Sequence, residues 1–266
     1  MTTKTLAMTE RGKGETVVLL HGWGMNSQLF EPLSDLLSSN YHIISVDLPG
    51  HGASEPCCSL TLDEVADQLL EQIEGTCHWV GWSLGGTLLM RMAQLAPARF
   101  KSITLIAATP CFVKQQNWSH GIDAKVLKQF SQALTQHPIK TLKRFAALQV
   151  LNSHHGNATL KRINELAFSN NLPNQESLQQ GLKLLLEQDQ RPVLKNLQMP
   201  MLVLLGECDA LIPLSIETYY RQLHAQPQVH IIEGAGHTPF LSHPDMTAEL
   251  LDSFLQQHAE KVQAHG

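Results

Sequence analysis

Hydrophobic residues follow two alternating rhythms over the first third of the chain. Thr16-Val17-Val18-Leu19-Leu20 is a continuous β-branched and aliphatic run closed by His21-Gly22. Such a run predicts a strand buried on both faces of a parallel sheet. Leu29, Leu33, Leu36 and Leu37 then share one face of a helix over about residues 27–38. His42–Val46 is the next strand, closed by Asp47-Leu48-Pro49-Gly50. Leu62, Val65, Ala66, Leu69, Leu70 and Ile73 repeat at helical spacing. A short strand at 77–80, a helix from Gly85 to Ala96 stopped by Pro97, and a strand at Ser102–Ile106 follow.

The alternation breaks near residue 111. From there to about 187 only helical periods are legible: Val126, Leu127, Phe130 and Leu134 on one helix, then Ile139, Leu142, Phe145, Ala146 and Gln149 on the next. Gly156-Asn157 and Asn170-Asn171-Leu172-Pro173-Asn174 punctuate later ones. Strands return at Met201–Leu205 and Val229–Ile232, with helices near 214–224 and 245–258. Alternating β and α predicts an α/β fold with a mostly parallel central sheet and helices on both faces. The expected organisation is a core of residues 1–111 and 188–266 with a helical lid, 112–187, inserted into it.

Composition narrows the class. Hydrophobic residues make up 43% of the 266, enough for a sizeable core and incompatible with wholesale disorder. A net charge of −5 argues against a nucleic-acid-binding chain, which would normally be basic. No apolar run reaches the roughly 20 residues that span a bilayer, and the first eight residues form no signal-peptide core. Cys57, Cys58, Cys77, Cys111 and Cys208 are odd in number, and none sits in a CxxC pair. They read as reduced thiols of a cytoplasmic protein. The 14 histidines form no HExxH, and His154-His155 reads as a polar loop pair. Neither metal nor organic cofactor is expected.

The chemistry is concentrated at strand ends. Gly81-Trp82-Ser83-Leu84-Gly85 fits GxSxG between a predicted strand and a predicted helix, the context a nucleophile elbow requires. The tight turn demands small residues two positions either side of the serine, and Gly86 permits closer packing still. The Oγ then stands at a helix N-terminus, where developing negative charge is favoured. A serine hydroxyl needs a base within reach, and the base needs an orienting carboxylate. Loops after the later strands supply Asp209 and His237, in the chain order Ser, Asp, His. Glu207 is the competing acid; Asp209 lies further past the strand end. His21, His51 and His243 are weaker candidates for the base, and His21 is expected to support the turn after it. Two amides should hold an oxyanion: Leu84, next to the nucleophile, and Trp23 in the loop His21-Gly22-Trp23-Gly24. The loop from Asp47 to Ser54 is expected to be scaffolding.

His21-Gly22-Trp23-Gly24, Asp47-Leu48-Pro49-Gly50-His51-Gly52, Gly81–Gly86 and Gly234-Ala235-Gly236-His237 together resemble the α/β-hydrolase superfamily across nearly the whole chain. Trp23, Trp82, Ala108–Phe112, the run Arg144-Phe145-Ala146-Ala147-Leu148-Gln149, His237-Thr238-Pro239-Phe240 and Ser242-His243-Pro244 resemble a narrower family. Its members are the pimeloyl-acyl-carrier-protein methyl ester esterases of biotin synthesis. The resemblance implies hydrolysis of a methyl ester on a seven-carbon chain carried by the phosphopantetheine of acyl carrier protein. It also implies that Phe145 and Gln149 line the acyl site.

An acidic carrier should meet basic surface. Residues 112–187 carry nine basic and four acidic side chains, a net +5, which leaves −10 on the remainder. Lys140, Lys143 and Arg144 share one helix face at i, i+3 and i+4. Lys140, Arg144 and Lys161 are therefore expected to dock the carrier, with the enzyme a monomer. The alternatives are a broad-specificity short-chain carboxylesterase, a carbon–carbon-bond hydrolase on the same fold, and a non-catalytic binding protein.

Overall fold

The computed structural model describes residues 5–57, 61–168 and 172–259. Cys58 and the Asn170-Asn171 pair lie outside them. Seven strands form one sheet: β1 (Met8–Arg11), β2 (Glu15–Leu20), β3 (Tyr41–Val46), β4 (Cys77–Trp82), β5 (Phe100–Ile106), β6 (Met201–Gly206) and β7 (Gln228–Ile232). Their order is β1-β3-β2-β4-β5-β6-β7. Every pairing is parallel except that of β1 with β3. Six strands coincide with the sequence expectation to within about two residues at the ends. β1 was not legible. Its residues Met-Thr-Glu-Arg carry no apolar alternation, and they pair only with the outer edge of β3.

Helices cover the sheet. α1 (Glu31–Leu37) follows a single 3₁₀ turn at Ser27–Phe30, and α2 (Leu62–Gln72) begins at a capping box between Thr61 and Glu64. That reciprocal pair satisfies two of the amide donors a helix start leaves unbonded. α3 is Leu84–Leu95, directly after β4. Between β5 and β6 come α4 (Ala124–Gln136), α5 (Pro138–Gln149), α6 (Gly156–Phe168), α7 (Gln175–Glu187) and the short α8 (Arg191–Leu194). α9 is Ile216–Arg221, shorter than the sequence suggested. α10 (Pro239–Ser242) and α11 (Pro244–Gln257) follow β7.

Three hydrophobic positions differ from expectation. Val126, Ile139 and Leu36 are exposed, while their neighbours Leu127, Leu142 and Leu33 are buried. Val126 precedes Leu127 by one residue and so points about 100° away from it. Ile139 lies in the first turn of α5, rotated to the edge of the stripe formed by Leu142, Phe145, Ala146 and Gln149.

The chain leaves β2 toward β3 on one side and returns to β4 on the other. The loops after β2 and β4 therefore diverge, leaving a crevice at the carboxyl ends of the strands. The inserted helices reach over this end: α4 packs on α5 and α7, and α6 packs on α10.

Candidate active site

Ser83 occupies the single residue between β4 and α3, with φ 54° and ψ −115°. A non-glycine residue held there costs about 1–3 kcal/mol, so the surroundings must over-determine the turn. They do so through glycines. A Cβ on Gly81 would stand 2.6 Å from the backbone of Gly85, one on Gly85 2.3 Å from the carbonyl of Leu20, and one on Gly86 2.5 Å from Ala108. The Ser83 amide donates to the Ile106 carbonyl at 3.0 Å, tying the turn to β5. As the first residue of α3, Leu84 has no acceptor for its amide within the helix. Gly22 packs against the Ser83 side chain, where a Cβ would come within 3.1 Å. The loop carrying Trp23 is thereby brought beside the serine.

The histidine and the acid come from the far side of the sheet. His237 Nδ1 donates to Asp209 Oδ2 at 2.7 Å, and both side chains are buried. Asp209 Oδ1 accepts from the amides of Leu211 at 2.8 Å and Ile212 at 3.0 Å. These bonds leave Oδ2 aimed at the ring. His237 Nε2 is buried with no partner among the described residues. A ring held through Nδ1–H presents Nε2 as a bare acceptor, the form a general base needs. Glu207 is committed elsewhere: its Oε2 accepts from the Gly234 amide at 2.9 Å.

The backbone of His237 is gripped from two directions. The Trp82 indole donates to its carbonyl at 2.8 Å, and its amide donates to the Gln149 carbonyl at 2.8 Å. The sequence marked Trp82 but not this bond, which joins residues 155 apart.

The other histidines have structural partners. His21 Nε2 accepts from the Leu48 amide and Nδ1 donates to the Gly22 carbonyl, so its ring links the loops after β2 and β3. Burial lowers its pKa. His51 is pushed down to about 3, by burial first and by neighbouring His21 second. His243 bonds Ser242 and faces the His155 ring. The loop after β3 folds around Asp47, whose carboxylate accepts from the amides of Ser27 and Ala53, each at 2.8 Å.

The inserted helices close the site. The Trp23 indole donates to the Leu178 carbonyl on α7 at 2.8 Å. Its ring meets Phe145 edge-on with centroids 4.9 Å apart, and Phe130 at 5.6 Å. Gln149 is fully buried, and neither the nitrogen nor the oxygen of its amide has a partner among the described residues. Two unpaired polar atoms in an enclosed site are costly unless a ligand uses them. Phe130 was placed only on an apolar stripe by the sequence; its contact with Trp23 arises from tertiary packing. Lys140 and Arg144 are exposed and line one groove between α4 and α5, whereas Lys161 sits on α6 beside Glu165 at 3.8 Å. Among the described residues no three His, Cys, Asp or Glu side chains gather to hold a metal ion, and no helix is long and apolar enough to cross a membrane.

A sequence profile of the alpha/beta hydrolase family matches residues 17–250. A pimeloyl-[acyl-carrier protein] methyl ester esterase of Aliivibrio fischeri is 36% identical over 97% of this chain and 100% of its own. One from Shewanella woodyi is 39% identical over 88% and 91% respectively. Among solved structures, an esterase from Exiguobacterium antarcticum superposes with a TM-score of 0.86, covering 95% of this chain and 96% of its own, at 21% identity. That likeness bears on the fold, and the two esterases bear on sequence kinship. The chain belongs to the alpha/beta hydrolase family.

Proposed function

We propose that this protein is a serine carboxylesterase that hydrolyses the methyl ester of pimeloyl-acyl carrier protein, in the service of biotin synthesis. The observation that carries the reading is a strained serine at a helix start, whose neighbour Trp82 bonds the backbone of an Asp-held histidine with a bare Nε2. The relatives' kinship and their substrate class support it. Ser83 attacks the ester carbonyl while His237 takes its proton. Asp209 holds the ring and stabilises the imidazolium. The amides of Trp23 and Leu84 hold the oxyanion. Methanol leaves with the proton from His237, and water activated by the same ring releases the acid.

Phe145 and Gln149 line the acyl chain, with the Gln149 amide as a polar contact. The helices of 112–187 serve as the lid, with the remaining residues as the catalytic core. Lys140 and Arg144 provide the surface that meets the acidic carrier, with Lys161 further along. Such charge steers encounter and raises the on-rate more than the affinity.

Complementation tests the reading as a whole. The chain should restore growth without biotin to a strain lacking its own methyl ester esterase, and Ser83→Ala should not. Growth of the serine variant would refute the nucleophile, and failure of the parent chain would refute the substrate. Lys140→Glu with Arg144→Glu should slow the carrier-bound ester and spare a short free ester. Equal loss on both would remove the docking surface from the reading.

A further inference from the structure

His237 stands on the loop between β7 and α10, which reads Glu233-Gly234-Ala235-Gly236-His237-Thr238. Gly234, Ala235 and Gly236 have almost no side chain with which to pack, so bonds from outside must fix their course. Part of that hold comes from the core. Glu207 accepts from the Gly234 amide at 2.9 Å, and the Cys208 amide donates to the Ala235 carbonyl at 2.8 Å. Trp82 donates to the His237 carbonyl. The other side of the loop meets the inserted helices. The Gln149 carbonyl accepts from the His237 amide at 2.8 Å, and the His154 amide donates to the Gly234 carbonyl at 2.9 Å. Gln149 ends α5, and His154 lies in the turn between α5 and α6.

The turn fits the loop closely. Gly234 has φ 68°, and a Cβ there would stand 2.2 Å from the His154 ring. A Cβ on Gly236 would stand 2.5 Å from the Gln149 carbonyl and 3.4 Å from the Ser153 side chain. The turn is also braced from within. Asn152 takes φ 64°, a conformation that asparagine adopts more readily than most residues. The Ser153 hydroxyl donates to the Val150 carbonyl at 2.7 Å, and the Gly156 amide donates to the Ser153 carbonyl at 3.2 Å. Leu151 is 47% exposed, and His154 and His155 are exposed as well, so the shape of the turn owes little to core packing. A locally built turn therefore grips a glycine loop at both ends, at Gly234 and at His237.

We propose that the turn over residues 149–156 positions the general base, with His154 as its positioning residue. The His154 amide and ring hold Gly234, the Gln149 carbonyl holds His237, and together they keep the imidazole aligned between Asp209 and Ser83. The inserted helices then do more than cover the site, because the place of the base depends on them. A displacement of about 1 Å in a reacting group costs on the order of 100-fold in rate. His154 touches none of the reacting atoms and acts only through the loop. The assignment rests on the reading of His237 as general base.

Three variants test it, each measured well below its own melting temperature. His154→Pro deletes the amide donor to Gly234. His154→Ala deletes the ring and keeps the amide. Gly236→Ala drives a methyl group at the Gln149 carbonyl. On a short free ester, His154→Pro should lower kcat about tenfold and Gly236→Ala about 100-fold, with KM within about twofold. His154→Ala should lose less than about threefold, and Leu151→Ala, on the exposed side of the same turn, should stay within about twofold. The second readout is the low-field proton resonance of the His237 Nδ1–H bonded to Asp209. It should broaden or move upfield in His154→Pro and Gly236→Ala and hold its place in Leu151→Ala. An unmoved resonance in both of the first two variants overturns the proposal. So does a kcat within about twofold of wild type in both, or a loss confined to KM. A wild-type protein inactive on every ester refutes the esterase reading instead, and the proton resonance still decides whether the turn holds the base.

Discussion

Two serine–histidine–carboxylate lines stand at opposite ends of the sheet. At the carboxyl ends are Ser83, His237 and Asp209. At the amino ends, His78 Nδ1 accepts from the Ser102 hydroxyl at 2.7 Å, and His78 Nε2 donates to Glu15 at 2.9 Å. By side-chain distance alone the second line is the better formed. It differs in its backbone. Glu15, His78 and Ser102 belong to neighbouring strands, β2, β4 and β5, and His78 and Ser102 are direct partners in the ladder. Ser102 and His78 are 0% exposed, in regular strand conformation, with no helix start facing the hydroxyl. Ser83 sits at the opposite kind of place, strained, at the mouth of a helix and beside a glycine loop. The comparison teaches that three side chains do not make a nucleophile. Access, a turn that presents the oxygen, and amides waiting for its charge decide which line can react.

The largest expected effect separates the two serines. Ser83→Ala should lower kcat on a short ester by about 10⁴-fold or more, the scale on which catalytic triads fail. Ser102→Ala should leave kcat within about twofold, because its hydroxyl bonds His78 at the amino ends of the strands. Steady-state kinetics on both variants checks this, and a comparable loss from Ser102→Ala would erase the distinction.

The acids should separate nearly as far. Asp209→Asn keeps the shape but favours the wrong tautomer of His237, and kcat should drop by about 10⁴-fold. Glu207→Gln, whose carboxylate serves the Gly234 amide, should cost less than about tenfold. A reversal of that order would move the catalytic acid to Glu207.

A smaller effect tests how the upper histidine is held. Trp82→Phe keeps an aromatic ring but removes the donor to the His237 carbonyl. A loss of one buried hydrogen bond, about 1 kcal/mol, should reduce kcat a few-fold with KM nearly unchanged. A change confined to KM would make Trp82 a substrate contact rather than a support.

The lower line should report in stability instead of rate. Burial is the first cause that lowers the pKa of His78, as it is for His21 and His51. The folded chain keeps these rings neutral where an unfolded chain would take up protons below about 6.5. The unfolded state then binds more protons, so stability is complete above pH 6.5 and declines as pH falls, toward about 3 in the case of His51. Urea midpoints should drop between pH 7.5 and 5, and His78→Gln should make that drop shallower. An unchanged slope in the variant would show that His78 does not titrate with unfolding.

Much of this molecule was readable from residue order. The apolar runs at 16–20 and 201–205 announced buried parallel strands, because a strand covered on both faces cannot alternate. The elbow was readable because its sterics demand glycines at fixed offsets, and the charge split between the inserted helices and the remainder could be counted directly. β1 was not readable, since an edge strand made of Met-Thr-Glu-Arg has pairing but little burial. Exposed Val126 and Ile139 were misplaced for a related reason: a periodic stripe has a centre and an edge, and only the neighbouring helix decides where the edge falls.

The sequence by itself therefore determined the fold class, the chain order of Ser83, Asp209 and His237 and the strained turn, all local consequences of spacing and sterics. Tertiary structure alone decided that Asp209, rather than Glu207, faces His237. It also placed Trp82 and Gln149 on the backbone of that histidine and set Phe130 against Trp23. These are contacts between residues far apart in the chain, and no local pattern encodes which surfaces will meet.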